Sequence, residues 1–385
     1  VLRWIFGIIL AGLVLTSARG ASGPTTAAVS DSRSASTLPV LATTDDGFLQ
    51  VLGPRDWSFP RDDGRHDGFK VEWWYFTGNL RDPAGHHVGF QLTFFRTPVT
   101  ANPTSRPSAW AMNDLFFAHA AVTDVDARTF CCDDLMQRGR PGLAESSDQT
   151  LDVSLLGWTA RRDDSGSIRL RADGKQFAFD LVCTGGRGPI LQGPGGINSK
   201  GNHPGQASYY YSRTRMKTGG TVQIAGHELH VEGLTWMDHE FSSNALRPEQ
   251  AGWDWMGLSL ADGSDLMLYR LRNQQGGTDY LSGTLIKPDG TERYLSDKEI
   301  TLAPSRSWKS PADGAEYPQR WNVSVRGMPA LVVQSLLAEQ ELHTPDSTKV
   351  DYFEGAAAVE DEAGRGLGEG YLEMTGYAGS MGSGF

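Results

Sequence analysis

The chain has 385 residues, 39% of them hydrophobic, and a formal net charge of −11. That length is enough for two domains, each with a core of its own. The negative charge excludes non-specific attraction to nucleic acid or to an anionic membrane surface, because both recruit basic proteins.

In chain order, Arg3 is followed by the apolar run Trp4 to Leu15 and then by the small residues Ser17, Ala18, Gly20 and Ala21. The run is too short to span a bilayer comfortably, so residues 1–23 read as a cleaved signal peptide. An exported protein, periplasmic or extracellular, is the expectation. Residues 24–45 are rich in Ser, Thr and Ala with almost no large apolar side chain, so they read as a flexible leader. Cys131, Cys132 and Cys183 make an odd count in a compartment that favours disulfides. One bridge from the Cys131/Cys132 pair to Cys183 and three unpaired thiols both fit.

From Phe48 onward the pattern is period-two and rich in aromatic residues, with Gly, Asp and Pro between the runs. Residues 71–77 and 87–96 form a strand, turn and strand, and further short strands follow at roughly ten-residue intervals, which points to β-sandwiches or barrels. Residues 331–342 read equally as a short helix or a buried strand. The glycine- and proline-rich segment 185–205 lacks the spacing of a phosphate-binding loop and leads into no helix, so it reads as an ordered loop over a barrel mouth. No serine stands in a G-x-S-x-G elbow. The hairpin from Trp74 to Arg96 is echoed from Trp255 to Arg272, each turning at Asp/Gly and ending on arginine. The echo predicts two related β domains, residues 46–236 and 237–380.

Candidate chemistry gathers at WMDHEFSS, followed by GWDWMGLSL and LMLYRLR. Side chains alternate across a strand, so Asp238 and Glu240 share a face with Trp236, while His239 lies opposite with Met237 and Phe241. His239 is therefore expected to meet Tyr269 or His119 rather than its sequence neighbours. Asp254 falls on the face of Met256, Leu258 and Leu260, and Glu72 beside Trp74 and Phe76. Burial without a partner would raise the pKa of either, as a general acid requires; the plainer reading is a carboxylate held by arginine or backbone amides. Asp238, His239, Glu240, Asp254 and Tyr269 are thus the catalytic candidates. Glu72, Trp74, Tyr75, His119, Trp236, Phe241, Trp253 and Trp255 are the substrate-binding candidates, although tryptophans and a lone histidine serve more often as core. Asp238, His239 and Glu240 cannot close on one ion from alternating faces, so no metal or other cofactor is expected.

The segments VEWWYFTGNL, AHAAVTD, SYYYSRTRM, WMDHEFSS, GWDWMGLSL, LMLYRLR and GYLEMTGYA, in this order, resemble the CrtC/AttH family of carotenoid 1,2-hydratase-like proteins, also called predicted secreted hydrolases. The resemblance implies an all-β fold of two tandem lipocalin-like antiparallel barrels and an apolar ligand site at or between them. It also implies acid-base chemistry (hydration, hydrolysis or cyclisation), with His239 and Tyr269 at positions where the family's histidine and tyrosine are expected. Phe241 and Leu271 stand where the pattern would have tryptophan and aspartate, so the proton donor must come from elsewhere, with Asp254, Asp238 and Glu240 as candidates. A non-enzymatic lipid or pigment carrier, associated with a membrane or an export transporter, is the alternative.

Overall fold

The computed structural model describes residues 43–102, 113–243 and 246–380. The expected signal peptide and all but the last three residues of the expected leader lie outside them; within those three, Thr43 bridges to Leu49.

The described residues form two antiparallel sheets, of thirteen and ten strands, each curled into a barrel-like half. The halves share one plan. In the first, strand Val71–Arg81 pairs with its hairpin partner His87–Pro98 on one side and with the last strand, His227–Ser242, on the other. In the second, Gln250–Leu260 stands between Asp265–Asn273 and Gly366–Met374 in the same way. The two hairpins echoed in the sequence are therefore the opening hairpins of two tandem lipocalin-like barrels. The break between them differs from the expected one. Residues 236 and 237 sit inside strand His227–Ser242, which belongs wholly to the first sheet, so the chain passes between barrels after Ser242 and before Gln250.

Alternation along each strand sorts the core into three layers. From strand Val71–Arg81, Trp74, Phe76 and Leu80 point into the first barrel, with Val88, Phe90, Leu92, Phe94 and Met237. Met256, Leu258, Leu266, Leu268, Trp321 and Phe353 fill the second. The opposite faces carry Tyr75, Tyr210, Trp236, Trp255, Met267, Tyr269 and Tyr371, which pack into a third cluster between the barrels. Each large side chain buried there or inside contributes roughly 1.5–3 kcal/mol over leaving it in water. The barrels approach closely at Gly89, where an added Cβ would lie 2.6 Å from the Cβ of Ala356.

One sequence reading needs correction and another is decided. Segment 185–205 is not simply an ordered loop over a barrel mouth. It forms strands Arg187–Leu191 and Ile197–Ser199, both paired to the long strand Ala207–Ile224, whose edge would otherwise leave backbone groups unpaired. Of the two readings of 331–342, the strand holds: Leu331–Ser335 pairs with Glu316–Val325 and Tyr352–Glu360, and Glu341–Leu342 forms a second short strand. The three cysteines are unbridged.

Candidate active site between the barrels

Cross-strand register builds the facing walls of the seam. On the first barrel, His119, Thr93, Tyr75, Asp238 and Ser212 lie side by side across five strands. On the second, Tyr269, Trp255, Glu373 and Glu354 do the same across four. The strands supply the facing automatically once one residue of each row points outward from its barrel.

The rows meet through hydrogen bonds. Asp238 accepts three: from the Tyr210 hydroxyl at 2.7 Å, the Ser212 hydroxyl at 2.5 Å and Trp236 Nε1 at 2.7 Å. Trp255 Nε1 donates to the Tyr210 hydroxyl at 3.1 Å, Trp253 Nε1 to Glu373 at 2.9 Å, and the Tyr75 hydroxyl to Glu354 at 2.8 Å. Lys200, delivered by the segment expected to be a loop, pairs with Glu240 at 2.7 Å and lies 4.1 Å from the centre of the Tyr269 ring.

Crowding four carboxyl groups, Asp238, Glu240, Glu354 and Glu373, with one lysine in a buried layer has the expected electrostatic result. Burial pushes the Asp238 carboxyl up against the pull of its three hydrogen bonds, and with Glu240 nearby it reaches about 7. Glu373 is likewise raised by burial to about 7, with the Trp253 hydrogen bond opposing and Asp238 and Glu240 adding to the rise. Glu354 is driven well above the carboxylate range by burial and by Glu373. Buried Glu354 Oε1 and the Tyr371 hydroxyl have no hydrogen-bond partner. A cavity of about 340 Å³ opens along the seam, lined by Thr77, Asn79, Arg215, Trp236, Gly257, Ser259 and Tyr371 among others. Trp236 thus forms part of its wall while holding Asp238 with its indole N–H.

The predicted residues divide by strand face. Asp238, Glu240, Tyr269, Tyr75, Trp236, Trp253 and Trp255 come together in the seam. His119 reaches it at the far end of the first row, bonded to the Tyr352 hydroxyl at 2.7 Å and to Ser347 at 2.9 Å, with burial driving its pKa down to about 3; it is a neutral strut between the barrels. His239 meets neither Tyr269 nor His119. It points into the first barrel, where Glu72 lies 2.9 Å away and Trp74 stacks on it at 4.9 Å, with Phe241 on the same face. Glu72 is not an isolated acid either. The His66 backbone N–H donates to both its oxygens at 3.0 Å, and the rings of His66 and His239 stand 2.8 and 2.9 Å from Oε1. Asp254 lies inside the second barrel, 2.5 Å from Arg270 and 3.4 Å from Arg272, with the Tyr377 hydroxyl donating at 2.8 Å. It is an ion-paired structural carboxylate, not an unpartnered acid. In each barrel a carboxylate thus stands opposite an arginine of the neighbouring strand, Glu72 across from Arg96 and Asp254 across from Arg270.

Sequence reasoning missed Lys200, Tyr210, Ser212, Glu354, Tyr371 and Glu373. Tyr371 and Glu373 alternate in GYLEM, and Tyr210 and Ser212 in SYYYS, so period-two reading of those segments held the signal. Nothing in the sequence around Lys200 marks it.

Fold and site define a class: two lipocalin-like barrels with apolar-filled interiors, packed through a seam of aromatic rings and buried acids. The chain belongs to the AttH-like family, whose model matches residues 50–377. It is similar to an AttH protein of Nitrosomonas europaea at 32% identity and a TM-score of 0.78, over 86% of this chain and 100% of that one. Kievitone hydratase from Nectria haematococca has the same fold, with a TM-score of 0.63 at 15% identity, over 88% of this chain and 96% of that one. No curated protein matches the chain.

Proposed function

We propose that this protein binds an apolar, unsaturated small molecule in the seam and transforms it by proton transfer, through hydration, hydrolysis or cyclisation. The observation that carries the reading is the pair Asp238 and Glu373, two buried carboxyls raised to about 7 on facing walls. A carboxylic acid with a pKa near the working pH is both protonated enough to donate and acidic enough to do so. The rings of Trp236, Trp253, Trp255 and Tyr269 surround them, and their π-faces stabilise a developing carbocation. Glu240, paired to Lys200, is placed to accept a proton from water. The fold shared with a hydratase agrees with this chemistry, and the apolar run Trp4 to Leu15 supports an exported location for it.

One observation favours a second reading, a carrier working beside a membrane or an export transporter. Asp238 is saturated by three donors and is not among the residues lining the cavity. Mass spectrometry of the organic extract from protein purified out of its native host separates the two, run beside Asp238→Asn and Glu373→Gln. Under the enzyme reading the wild type carries a hydrated, cleaved or cyclised molecule and at least one variant carries its precursor. The same unmodified molecule in all three refutes that reading and supports the carrier.

A further inference from the structure

We infer that His66, Glu72 and His239 form a buried binding site in the first barrel for one divalent metal ion of the zinc class. His66 Nδ1, Glu72 Oε1 and His239 Nε2 lie within 4.8 Å of one another, and all three residues are buried. Both imidazole nitrogens point at the same carboxylate oxygen, from 2.8 Å for His66 and 2.9 Å for His239.

Counting protons shows why a cation belongs there. His66 Nε2 lies 2.9 Å from Asp62 Oδ1; with the ring proton on that nitrogen, Nδ1 presents a lone pair toward Glu72. Asp62 is itself held in place, with Arg55 donating to it at 2.7 Å and the Ser58 amide at 2.5 Å. His239 Nδ1 lies 3.2 Å from the Tyr211 oxygen, whose own proton goes to Asp63 at 2.7 Å. With the His239 proton on Nδ1, directed at that oxygen, Nε2 presents a lone pair. In these tautomers two imidazole lone pairs and a carboxylate oxygen face one another, the arrangement a cation fills. A divalent cation in their midst would take up all three donor atoms at once.

The surroundings have the form of an outer ligand shell. A ligating histidine generally gives its second nitrogen to a carboxylate or other acceptor that fixes its tautomer and orientation; Asp62 does this for His66 and Tyr211 for His239. The rings are locked face-on, His66 on Phe241 at 3.6 Å and His239 on Trp74 at 4.9 Å. Charge leaves room as well. Arg96, the arginine nearest Glu72, stays 3.6 Å from it and is engaged at 2.8 Å with both Asp67 and Asp114. Two imidazoles and one carboxylate are a zinc donor set, with bonds of about 2.0–2.2 Å, so the three groups close round an ion through small side-chain shifts. The adjacent-residue set Asp238, His239 and Glu240 fails on facing; this one succeeds because its members come from three separate places in the chain.

The test uses the untagged full chain, stripped by chelator and titrated with Zn²⁺ against a chromogenic competitor. We expect one tight site per chain. His66→Ala and His239→Ala should each abolish it, and Asp62→Asn should weaken it roughly 10–100-fold, the usual cost of losing an outer-shell partner. Equal Zn²⁺ affinity in the folded histidine variants, or none in the wild type, overturns the proposal. If neither histidine variant folds, the zinc absorption edge of loaded wild type decides: two imidazoles and a carboxylate confirm the site, and fewer than two imidazoles refute it.

Discussion

Replacing Asp238 by Asn tests the electrostatics of the seam without reference to any substrate. In the folded protein Asp238 titrates near 7, raised from 3.8 chiefly by burial. Between those values the folded state holds a proton that the unfolded chain has released, so stability falls as pH rises through this window and is flat outside it. A displacement of about three units at 1.36 kcal/mol each makes the loss roughly 4 kcal/mol by pH 9. Asparagine does not titrate, so the variant lacks this slope. It keeps an acceptor for Trp236 and Ser212 but turns an amide N–H toward the Tyr210 hydroxyl, which loses its acceptor at a cost of about 1–3 kcal/mol. The variant should therefore be less stable than wild type at pH 4, near the bottom of the window, and more stable at pH 9. Urea denaturation of both proteins at a series of pH values gives the difference directly, and subtraction removes the other titrating groups. A difference that stays constant between pH 4 and 9 would falsify the placement of Asp238 as a buried, protonatable carboxyl. Turnover that needs the protonated acid should decline over the same upper limb, above about pH 7.

Asp254→Asn should cost about 3–5 kcal/mol, because it leaves the Arg270 guanidinium, now 2.5 Å from the carboxylate, buried without its countercharge; a loss below 1 kcal/mol in urea would contradict the ion-pair reading. His119, with its pKa driven down to about 3, should remain neutral through pH 4 in histidine NMR titrations. The unfolded chain binds that proton below about 6.5 and the folded one does not, so His119→Gln should flatten part of the stability loss on acidification. Gly89→Val must push against Ala356 across the seam, and should destabilise by about 1–3 kcal/mol through overpacking; an unchanged melting temperature would show that the barrels yield there freely.

The amino-acid sequence by itself determined the all-β class, the tandem repeat and which residues share a face. Period two is a property of any extended strand, so Asp238 with Glu240 against His239 with Phe241 was legible before any fold was known. What alternation cannot say is which face turns inward. Glu72 and Asp254 lie on faces as apolar as the sequence suggested, yet the polar groups they meet there, His66 and His239 for one and Arg270 for the other, are set by register and by a loop that carries no periodic signal. The domain boundary failed for a related reason: strand His227–Ser242 is held by pairing with Val71–Arg81, far away in the chain, and nothing local marks where that pairing ends. The seam belongs to the tertiary structure alone. Asp238 and Glu373 are ordinary surface-facing positions on their own barrels, and they become buried acids only because two outer faces, encoded more than a hundred residues apart, exclude water from each other.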